Sequence, residues 1–162
     1  MVEVRVAKPA DAPALAAIMV QSFRTAFREL VSEEIMDQCA DLQNCTAMLA
    51  QVCENTQIHS YLAVLDGKPC GELFWRGEAE AELIALHTLP EVWGYGVGAA
   101  LLLRAQADMN AAGVKRVKLW AFRENHRARR FYEKYGLRAS GAERISEFDG
   151  AVEVCYEKEL QL

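Results

Sequence analysis

Apolar residues recur at every second position at the start of the chain. Val2, Val4 and Val6 alternate with charged residues, and a period of two is typical of a strand that buries one face. Similar alternation, or a short apolar run, recurs along the rest of the sequence. The pattern predicts strands at residues 2–6, 61–65, 69–76, 81–89, 114–122, 139–148 and 152–160.

Between these strands, apolar residues recur at intervals of three and four, which is typical of helices with one buried face. Asp11 stands where an N-cap is expected, and Gly113 and Gly136 stand just past two predicted helix ends. The predicted helices cover residues 12–29, 32–55, 99–113 and 125–135. Glycine turns that join neighbouring strands as hairpins are Asp66-Gly67 and Asp149-Gly150. Together these elements predict a mixed α/β domain.

A glycine-rich turn follows the central apolar segment. Gly94, Gly96 and Gly98 lie within five residues, directly before a predicted helix. The first turn of a helix leaves amide N–H groups unpaired at the positive end of the helix dipole, and glycine lets a phosphate approach the backbone. The segment therefore predicts a pyrophosphate site built from main-chain amides. An ordinary strand-to-helix turn would not need three glycines in five residues.

Gly94, Gly96 and Ala99 also satisfy the GxGxxA pattern of dinucleotide-binding domains. The turn, however, follows several hairpin-like strands and does not open a βαβ unit. The next strand, at 117–122, also ends without the acidic residue expected to hold a ribose. An NAD-binding domain is therefore the less favoured interpretation, and a comparison of ligands would separate the two.

Two motifs resemble those of the GCN5-related N-acetyltransferases, the GNAT family. The coenzyme loop of that family is matched by Trp93-Gly94-Tyr95-Gly96-Val97-Gly98, preceded by Leu86-His87-Thr88-Leu89-Pro90. The family's second motif is matched by Asn125, Phe131-Tyr132 and Gly136-Leu137. Trp93 replaces the family's usual Gln or Arg, and Thr88 its usual Val. The backbone makes the expected coenzyme contacts at both positions, so neither change removes them.

The resemblance extends over most of the chain and implies a single GNAT domain at residues 1–162. The GNAT fold has a central, mixed, mostly antiparallel twisted sheet of about seven strands, splayed at its centre and flanked by about four helices. The resemblance also implies an N-acetyltransferase that moves an acetyl or longer acyl group from its coenzyme A thioester to a primary amine. The amine would belong to a small molecule, protein or peptide, and would attack directly in a ternary complex. The alternative is an acyl-CoA-binding regulatory module with little catalysis.

By the same resemblance, the main chain binds acetyl-CoA. Amides of the glycine turn would bind the pyrophosphate, namely those of Gly94, Tyr95, Gly96, Val97, Gly98 and Ala99. The backbone of Leu86, His87 and Thr88 would pair with the pantetheine arm and polarise the thioester carbonyl. Asn125 would bond the same arm, cap its helix, or do both. A contact to the 3′-phosphate is expected from one of Arg127, Arg129 and Arg130.

Each candidate catalytic side chain has an alternative structural interpretation. Tyr132 matches the family's tyrosine and would protonate the leaving thiolate, although its place on an apolar stripe also fits a core aromatic. Glu82 is the candidate base, acting through water, and its alternative is a plain solvent-facing strand position. His87 should point opposite to its strand neighbours, which favours a packing role over that of a base. Phe23 and Phe27 match the acceptor side of the family, or simply pack in the core.

Composition and charge narrow the partners and the location. The 162 residues are 52% hydrophobic and carry a formal net charge of −5, which suits one globular domain and disfavours nucleic acid as a partner. The apolar stretches are too short to span a membrane, and the charged start does not resemble a signal peptide. We therefore expect a cytoplasmic protein with no membrane partner. Apolar edge strands near the C-terminus make a homodimer a possible assembly.

Cysteine and histidine usage predicts no metal site. The five cysteines are irregularly spaced without a CxxC pair, and the three histidines are not spaced as ligands beside them. Reduced thiols are expected. None of the cysteines lies in either motif, which disfavours a covalent acyl-enzyme.

Overall fold

Seven strands form one mixed sheet in the computed structural model, which describes residues 1–147 and 150–160. The spatial order is β1-β2-β3-β4-β5-β7-β6. The strands are β1 (Val2–Val6), β2 (Ile58–Leu65), β3 (Lys68–Gly77), β4 (Glu80–Thr88), β5 (Arg116–Phe122), β6 (Arg138–Ile145) and β7 (Val152–Glu159). All of the predicted strands are present. The predicted end of the sixth strand at Phe148, and the Asp149 position of its turn, lie outside the described residues.

The sheet is antiparallel except at its centre, where β4 and β5 run parallel. These two strands pair only at their beginnings, where residues 80–82 face residues 116–118. Beyond Glu82 they diverge, while β5 continues to pair with β7 as far as Phe122. The predicted splay of the central strands is therefore confirmed, and it opens a gap in the middle of the sheet.

Five α-helices flank the sheet, one more than predicted. They are α1 (Ala12–Ala26), α2 (Glu33–Cys39), α3 (Leu42–Glu54), α4 (Val97–Ala111) and α5 (His126–Lys134). The single helix predicted over 32–55 is wrong, because it is interrupted at Ala40 and Asp41. The Asp41 carboxylate accepts a hydrogen bond from the Asn44 amide at 3.0 Å and begins a new helix there.

Asp11 does not cap α1 through its side chain, contrary to the prediction. Its carboxylate accepts two hydrogen bonds from Arg5, each at 2.8 Å, and one from the Lys8 amide at 2.8 Å. The hydrogen bonds from Arg5 lower the pKa of Asp11 to about 2. The side chain therefore ties β1 to the short 3₁₀ turn at Pro9–Asp11 that precedes the helix.

The core lies on both faces of the sheet. α1 and α3 cover one face, packing against Leu62 and Phe74, and α4 covers the other, packing against Leu73 and Trp75. On the α4 face, the Tyr61 hydroxyl donates to Asp108 at 2.8 Å and accepts from Trp75 Nε1 at 3.2 Å. Burial raises the pKa of this tyrosine to about 12. In the described part of the chain, none of the helices is both long and apolar enough to cross a bilayer.

Candidate functional site

The gap between β4 and β5 leaves one edge of β4 unpaired beyond Glu82. Backbone groups alternate along a strand, so half of them face this gap. The Leu89 amide donates to Cys70 of β3 at 2.9 Å, whereas the Thr88 carbonyl accepts from Trp93 Nε1 at 3.2 Å. By alternation, Leu86 and Thr88 direct their amides and carbonyls into the gap.

His87 is the exception among the three residues expected to pair with pantetheine. It is directly opposite Glu72 in the β3–β4 ladder, and the alternation turns its N–H and C=O toward β3. The expected backbone contacts therefore narrow to Leu86 and Thr88. His87 enters the site through its side chain.

The glycine turn is shaped by two positive φ angles. Gly94 has φ 87° and Gly96 has φ 82°, values that a residue with a Cβ adopts only with strain. Gly96 is the N-cap of α4, and the first helical hydrogen bond runs from Ala100 to Gly96 at 3.0 Å. The amides of residues 97–99 therefore have no partner within the helix and face outward at its positive end.

Two residues of this segment, Tyr95 and Gly98, have structural roles. The Tyr95 amide donates to Val92 at 3.1 Å and so stabilises the turn itself, while its side chain is exposed. Gly98 lies inside the helix, where an added Cβ would approach Phe131 to 3.3 Å. This glycine allows α5 to pack closely against the start of α4.

A cavity of about 310 Å³ lies beside these amides. Its lining includes the glycine turn, Leu86 and Thr88 on one side and residues of α5 on the other. Two cationic side chains, Arg127 and Lys134, also border it. The Arg127 guanidinium lies 3.3 Å from the centre of the Trp93 ring, which holds it at the cavity mouth.

A second cavity, of about 120 Å³, takes the side chains of Ala85 and His87. Successive side chains of a strand point to opposite faces, so this cavity opens toward the α1 face of the sheet. Leu86, Ala128 and Tyr132 line both cavities. The two cavities therefore border each other at these three residues.

Tyr132 lies at this junction. Its side chain is 8% exposed, and its ring packs between those of Phe131 and Tyr156. Burial raises its pKa, and the positive charge of Arg127 offsets this in part. The phenol therefore keeps its proton at neutral pH and can donate it to an anion formed in the gap.

Asn125 caps α5 and also lines the second cavity. Its side-chain oxygen accepts a hydrogen bond from the Ala128 amide at 3.2 Å. The capping role expected of this residue is confirmed, and its position leaves it beside the gap. Arg129, one of three candidates for the 3′-phosphate, donates instead to the Tyr156 hydroxyl at 2.9 Å and to the Arg123 carbonyl at 2.8 Å.

Phe23 and Phe27 surround the His87 ring. Their ring centres lie 5.6 and 6.2 Å from that of His87, and Phe27 reaches across to Phe122 of β5 at 5.5 Å. Phe27 lines the second cavity, whereas Phe23 packs against the core between α1 and the sheet. Phe27 therefore borders the second cavity, and Phe23 packs against the His87 ring from the core side.

Glu82 lies apart from this arrangement. Its carboxylate is bound to Arg76 at 3.0 Å, and it lines a third cavity together with Trp120 and Arg144. Tyr132 lines the first two cavities, so the structure does not bring the candidate base and the candidate acid into one space. Among the described residues, no group of three or more His, Cys, Asp or Glu side chains is arranged to hold a metal ion.

Comparison with known proteins identifies the architecture. The family model described as the acetyltransferase (GNAT) family matches residues 17–137. The chain belongs to the GNAT acetyltransferase family. An uncharacterized N-acetyltransferase of Mycobacterium tuberculosis is 32% identical over 133 residues, which is 81% of this chain and 85% of that protein.

Solved GNAT structures share the fold over nearly the whole chain. The PaiA N-acetyltransferase of Thermoplasma acidophilum, in complex with coenzyme A, superposes with a TM-score of 0.86 at 22% identity, covering 98% of this chain and 99% of that one. The ribosomal-protein-S18-alanine N-acetyltransferase of Escherichia coli superposes with a TM-score of 0.78 at 16% identity, covering 100% and 96%. At these sequence identities, the two superpositions show a shared fold alone.

One residue of this GNAT site was missed by the sequence reasoning. Glu72 of β3 is completely buried, and its Oε1 lies 2.8 Å from Nδ1 of His87. A signal existed, because Glu72 is the one charged residue between Pro69 and Trp75 in the strand predicted at 69–76. Its partner could not be identified without knowing the register of β3 against β4.

Proposed function

We propose that this protein is an N-acetyltransferase that moves the acetyl group of acetyl-CoA to a primary amine within a ternary complex. The supporting observation is the pair of cavities at the central gap whose linings share Leu86, Ala128 and Tyr132. Two substrates bound one in each cavity would react at these shared residues, with no acyl group held on the protein. Family membership and a solved relative in complex with coenzyme A agree with this assignment.

The larger cavity fits the coenzyme. Residues 97–99 offer unpaired amides to a pyrophosphate, and Arg127 and Lys134 add positive charge at the border. The backbone groups of Leu86 and Thr88 would pair with the amides of the pantetheine arm, as a further strand would. When bound, the coenzyme supplies an activated acetyl group as a thioester.

The chain's own residues would then serve the transfer. The Leu86 amide would donate to the thioester oxygen as negative charge develops there, an interaction of the kind that contributes about 3–4 kcal/mol in oxyanion holes. Tyr132 would give its proton to the departing sulfur. For the proton that the amine loses, Glu82 is the candidate from sequence, and it would act through water from the neighbouring cavity.

The acceptor is a primary amine of a small molecule, peptide or protein, and it would enter past Phe27 and Phe122. A regulatory module that binds acyl-CoA without catalysis is the second candidate. It is favoured less because Tyr132 lines the junction of the cavities, where a purely binding protein needs no proton donor.

The sheet edge supports a predicted homodimer. β6 lies at the end of the strand order, and its residues are exposed, including Ile145 at 66%. A second copy of the chain would cover this edge. Light scattering after gel filtration tests this directly, because a dimer has twice the monomer mass.

Calorimetric titration with acetyl-CoA, with NAD in parallel, tests the assignment. Micromolar binding of acetyl-CoA and none of NAD is expected. A thiol-release assay against a panel of amines then identifies the acceptor class, using a polyamine, free lysine and a peptide with a free N-terminus. Failure to bind acetyl-CoA would overturn the proposed function. Binding with no transfer to any amine would favour the regulatory module.

A further inference from the structure

A buried contact between a carboxylate and an imidazole lies on the α1 side of the gap. Glu72 is 0% exposed and its Oε1 lies 2.8 Å from Nδ1 of His87, whose side chain is 10% exposed. The second carboxylate oxygen, Oε2, has no hydrogen-bond partner among the described residues. Burying a carboxylate costs considerable free energy unless it is paired. Holding the Glu72 carboxylate against this imidazole therefore lowers the stability of the fold.

The sheet register holds the two side chains together. Glu72 and His87 are directly opposed in the antiparallel β3–β4 ladder, so both point to the same face, beneath α1. A bulge in β4, where Phe74 pairs with Ala85 and Trp75 with Leu83, leaves Ile84 without a partner. This bulge sets the alternation of the last residues of β4 and thereby the direction of His87.

The imidazole contacts Glu72 through Nδ1, and His87 also borders a cavity. It is among the residues that line the cavity of about 120 Å³ that Tyr132 also lines. An ionised carboxylate only accepts hydrogen bonds. With Glu72 ionised and the ring neutral, Nδ1 would carry the proton and Nε2 would keep a lone pair. A structural ion pair in the core would not need its histidine at the wall of a cavity.

Few other charges face this imidazole. The rings of Phe23 and Phe27 cover it from α1. The titratable groups lining its cavity from α5 and β7 are Tyr132 and Glu153. Glu153 is bound to Arg144 at 3.1 Å, and burial keeps Tyr132 neutral. Glu72 is thus the charge in direct contact with the ring.

We propose that His87, oriented by Glu72 through Nδ1, accepts at Nε2 the proton that the acceptor amine loses. The proposal rests on the proposed acetyltransferase function and assigns its base. Glu72 is the positioning residue: it holds the tautomer and stabilises the imidazolium that forms, as a buried carboxylate does for the histidine of a catalytic triad. Burial raises the pKa of Glu72, and the hydrogen bond from His87 lowers it. A positive charge on the ring is therefore the partner that this carboxylate favours.

The proton and electron balance of the transfer is complete with these groups. The amine nitrogen forms a bond to the thioester carbon, and its extra proton moves to Nε2 of His87. The carbon–sulfur bond then breaks, its electron pair remains on sulfur, and Tyr132 gives that sulfur a proton. The products are an N-acetylated amine and a free thiol. The imidazolium then returns its proton, through solvent, to the phenolate of Tyr132.

The protonation state of His87 is measured first, because it needs no acceptor. The chain has three histidines, so nitrogen-detected NMR of labelled protein yields three pairs of imidazole nitrogen signals, and His87→Gln identifies the relevant pair. At pH 8 we expect a protonated Nδ1 and an unprotonated Nε2. A signal with the proton on Nε2 would overturn the proposal, since that nitrogen would have no lone pair to offer.

Kinetics with an amine from the panel provide the second test. His87→Gln should lower kcat/KM about 100-fold or more, the range of general acid–base catalysis. Glu72→Gln keeps a hydrogen-bond acceptor but removes the charge. Its kcat should therefore fall about tenfold or more, while the KM for the amine stays within about threefold. His126→Gln, an exposed histidine outside the site, is the control that leaves the rate unchanged.

Titration with acetyl-CoA separates this proposal from the proposed function. The His87 and Glu72 variants should bind acetyl-CoA as the native protein does. If the native protein does not bind it, the proposed function fails, and the tautomer measurement still reports on the pair. If His87→Gln binds acetyl-CoA and retains its rate within about threefold across the pH range, the assignment of the base is wrong. Glu82→Gln would then be the variant expected to lose activity. If Glu72→Gln does not fold, the kinetics of His87→Gln and the tautomer of the native protein still test whether His87 is the base.

Discussion

The two sides of the central gap present different chemical groups. On the α4 side the functional groups are main-chain amides, exposed by Gly94 and Gly96 at positive φ. On the α1 side they are side chains, namely Phe27, His87 and the buried Glu72. A backbone site tolerates many sequences provided that its glycines stay, whereas a side-chain site depends on each residue. The first suits a coenzyme shared by a family, and the second suits an acceptor that differs between members.

Substitution of Tyr132, which lies where the two sides meet, has the largest expected effect. Tyr132→Phe keeps the ring and removes the proton donor, so turnover should fall about 100-fold while the affinity for acetyl-CoA is unchanged. Thiol release and calorimetry measure the two quantities. Tyr61→Phe, another buried tyrosine but one bound to Asp108, is the control that keeps native turnover. Equal turnover of Tyr132→Phe and the native protein would show that Tyr132 is not the general acid.

A change on the backbone side should affect coenzyme binding alone. Gly96→Ala forces a side chain onto φ 82°, at a cost of about 1–2 kcal/mol, and it disturbs the amides that follow. We expect about a tenfold loss of acetyl-CoA affinity. Gly113→Ala is closely matched, since it has the same φ and no atom within 4 Å of the added Cβ, but it lies at the far end of α4. Both variants should lose stability, and only Gly96→Ala should lose affinity for acetyl-CoA. Equal affinities of the two variants would show that the glycine turn does not contact the coenzyme.

A substitution on the α1 side of the gap should change binding of the acceptor amine alone. Phe27→Ala removes the ring that bridges His87 and Phe122. The KM for the amine should rise roughly three- to tenfold, as expected for the loss of about 1 kcal/mol of apolar contact. The dissociation constant of acetyl-CoA should not change. Steady-state kinetics with varied amine checks this, and a rise in the coenzyme constant of similar size would contradict the division into two sides.

The smallest effect is expected at the base of α1, outside both sides. Asp11→Asn removes the anion bound to Arg5 and should cost about 1 kcal/mol at neutral pH, because the pair is partly exposed. The pKa of Asp11 is lowered to about 2 in the folded state. Its contribution is therefore present above about pH 4 and is lost as the pH falls toward 2. Urea unfolding at pH 7 and pH 2.5 should show the difference shrinking, and acetyl-CoA affinity should stay native.

The contrast also explains which parts could be predicted from sequence. The strands followed from their alternation, and the glycine turn followed from a local need for positive φ and open space. The break between α2 and α3 was missed because residues 32–55 continue a helical pattern through Asp41, and only a capping bond to Asn44 reveals the interruption. The cap expected of Asp11 failed for a related reason, since Arg5 and the Lys8 amide compete for the same carboxylate.

The sequence by itself determined the backbone part of the proposed coenzyme side, because that part is contiguous: the strand end, the glycines and the first turn of α4 follow one another along the chain. The tertiary structure alone decided the acceptor side. Glu72 and His87 are fifteen residues apart, and only the register of β3 against β4, adjusted by the bulge at Ile84, places them face to face. Phe27 and Tyr132 meet that pair from α1 and α5 because the sheet splays there. Long-range register and splay depend on packing across the whole core, which local sequence patterns do not encode.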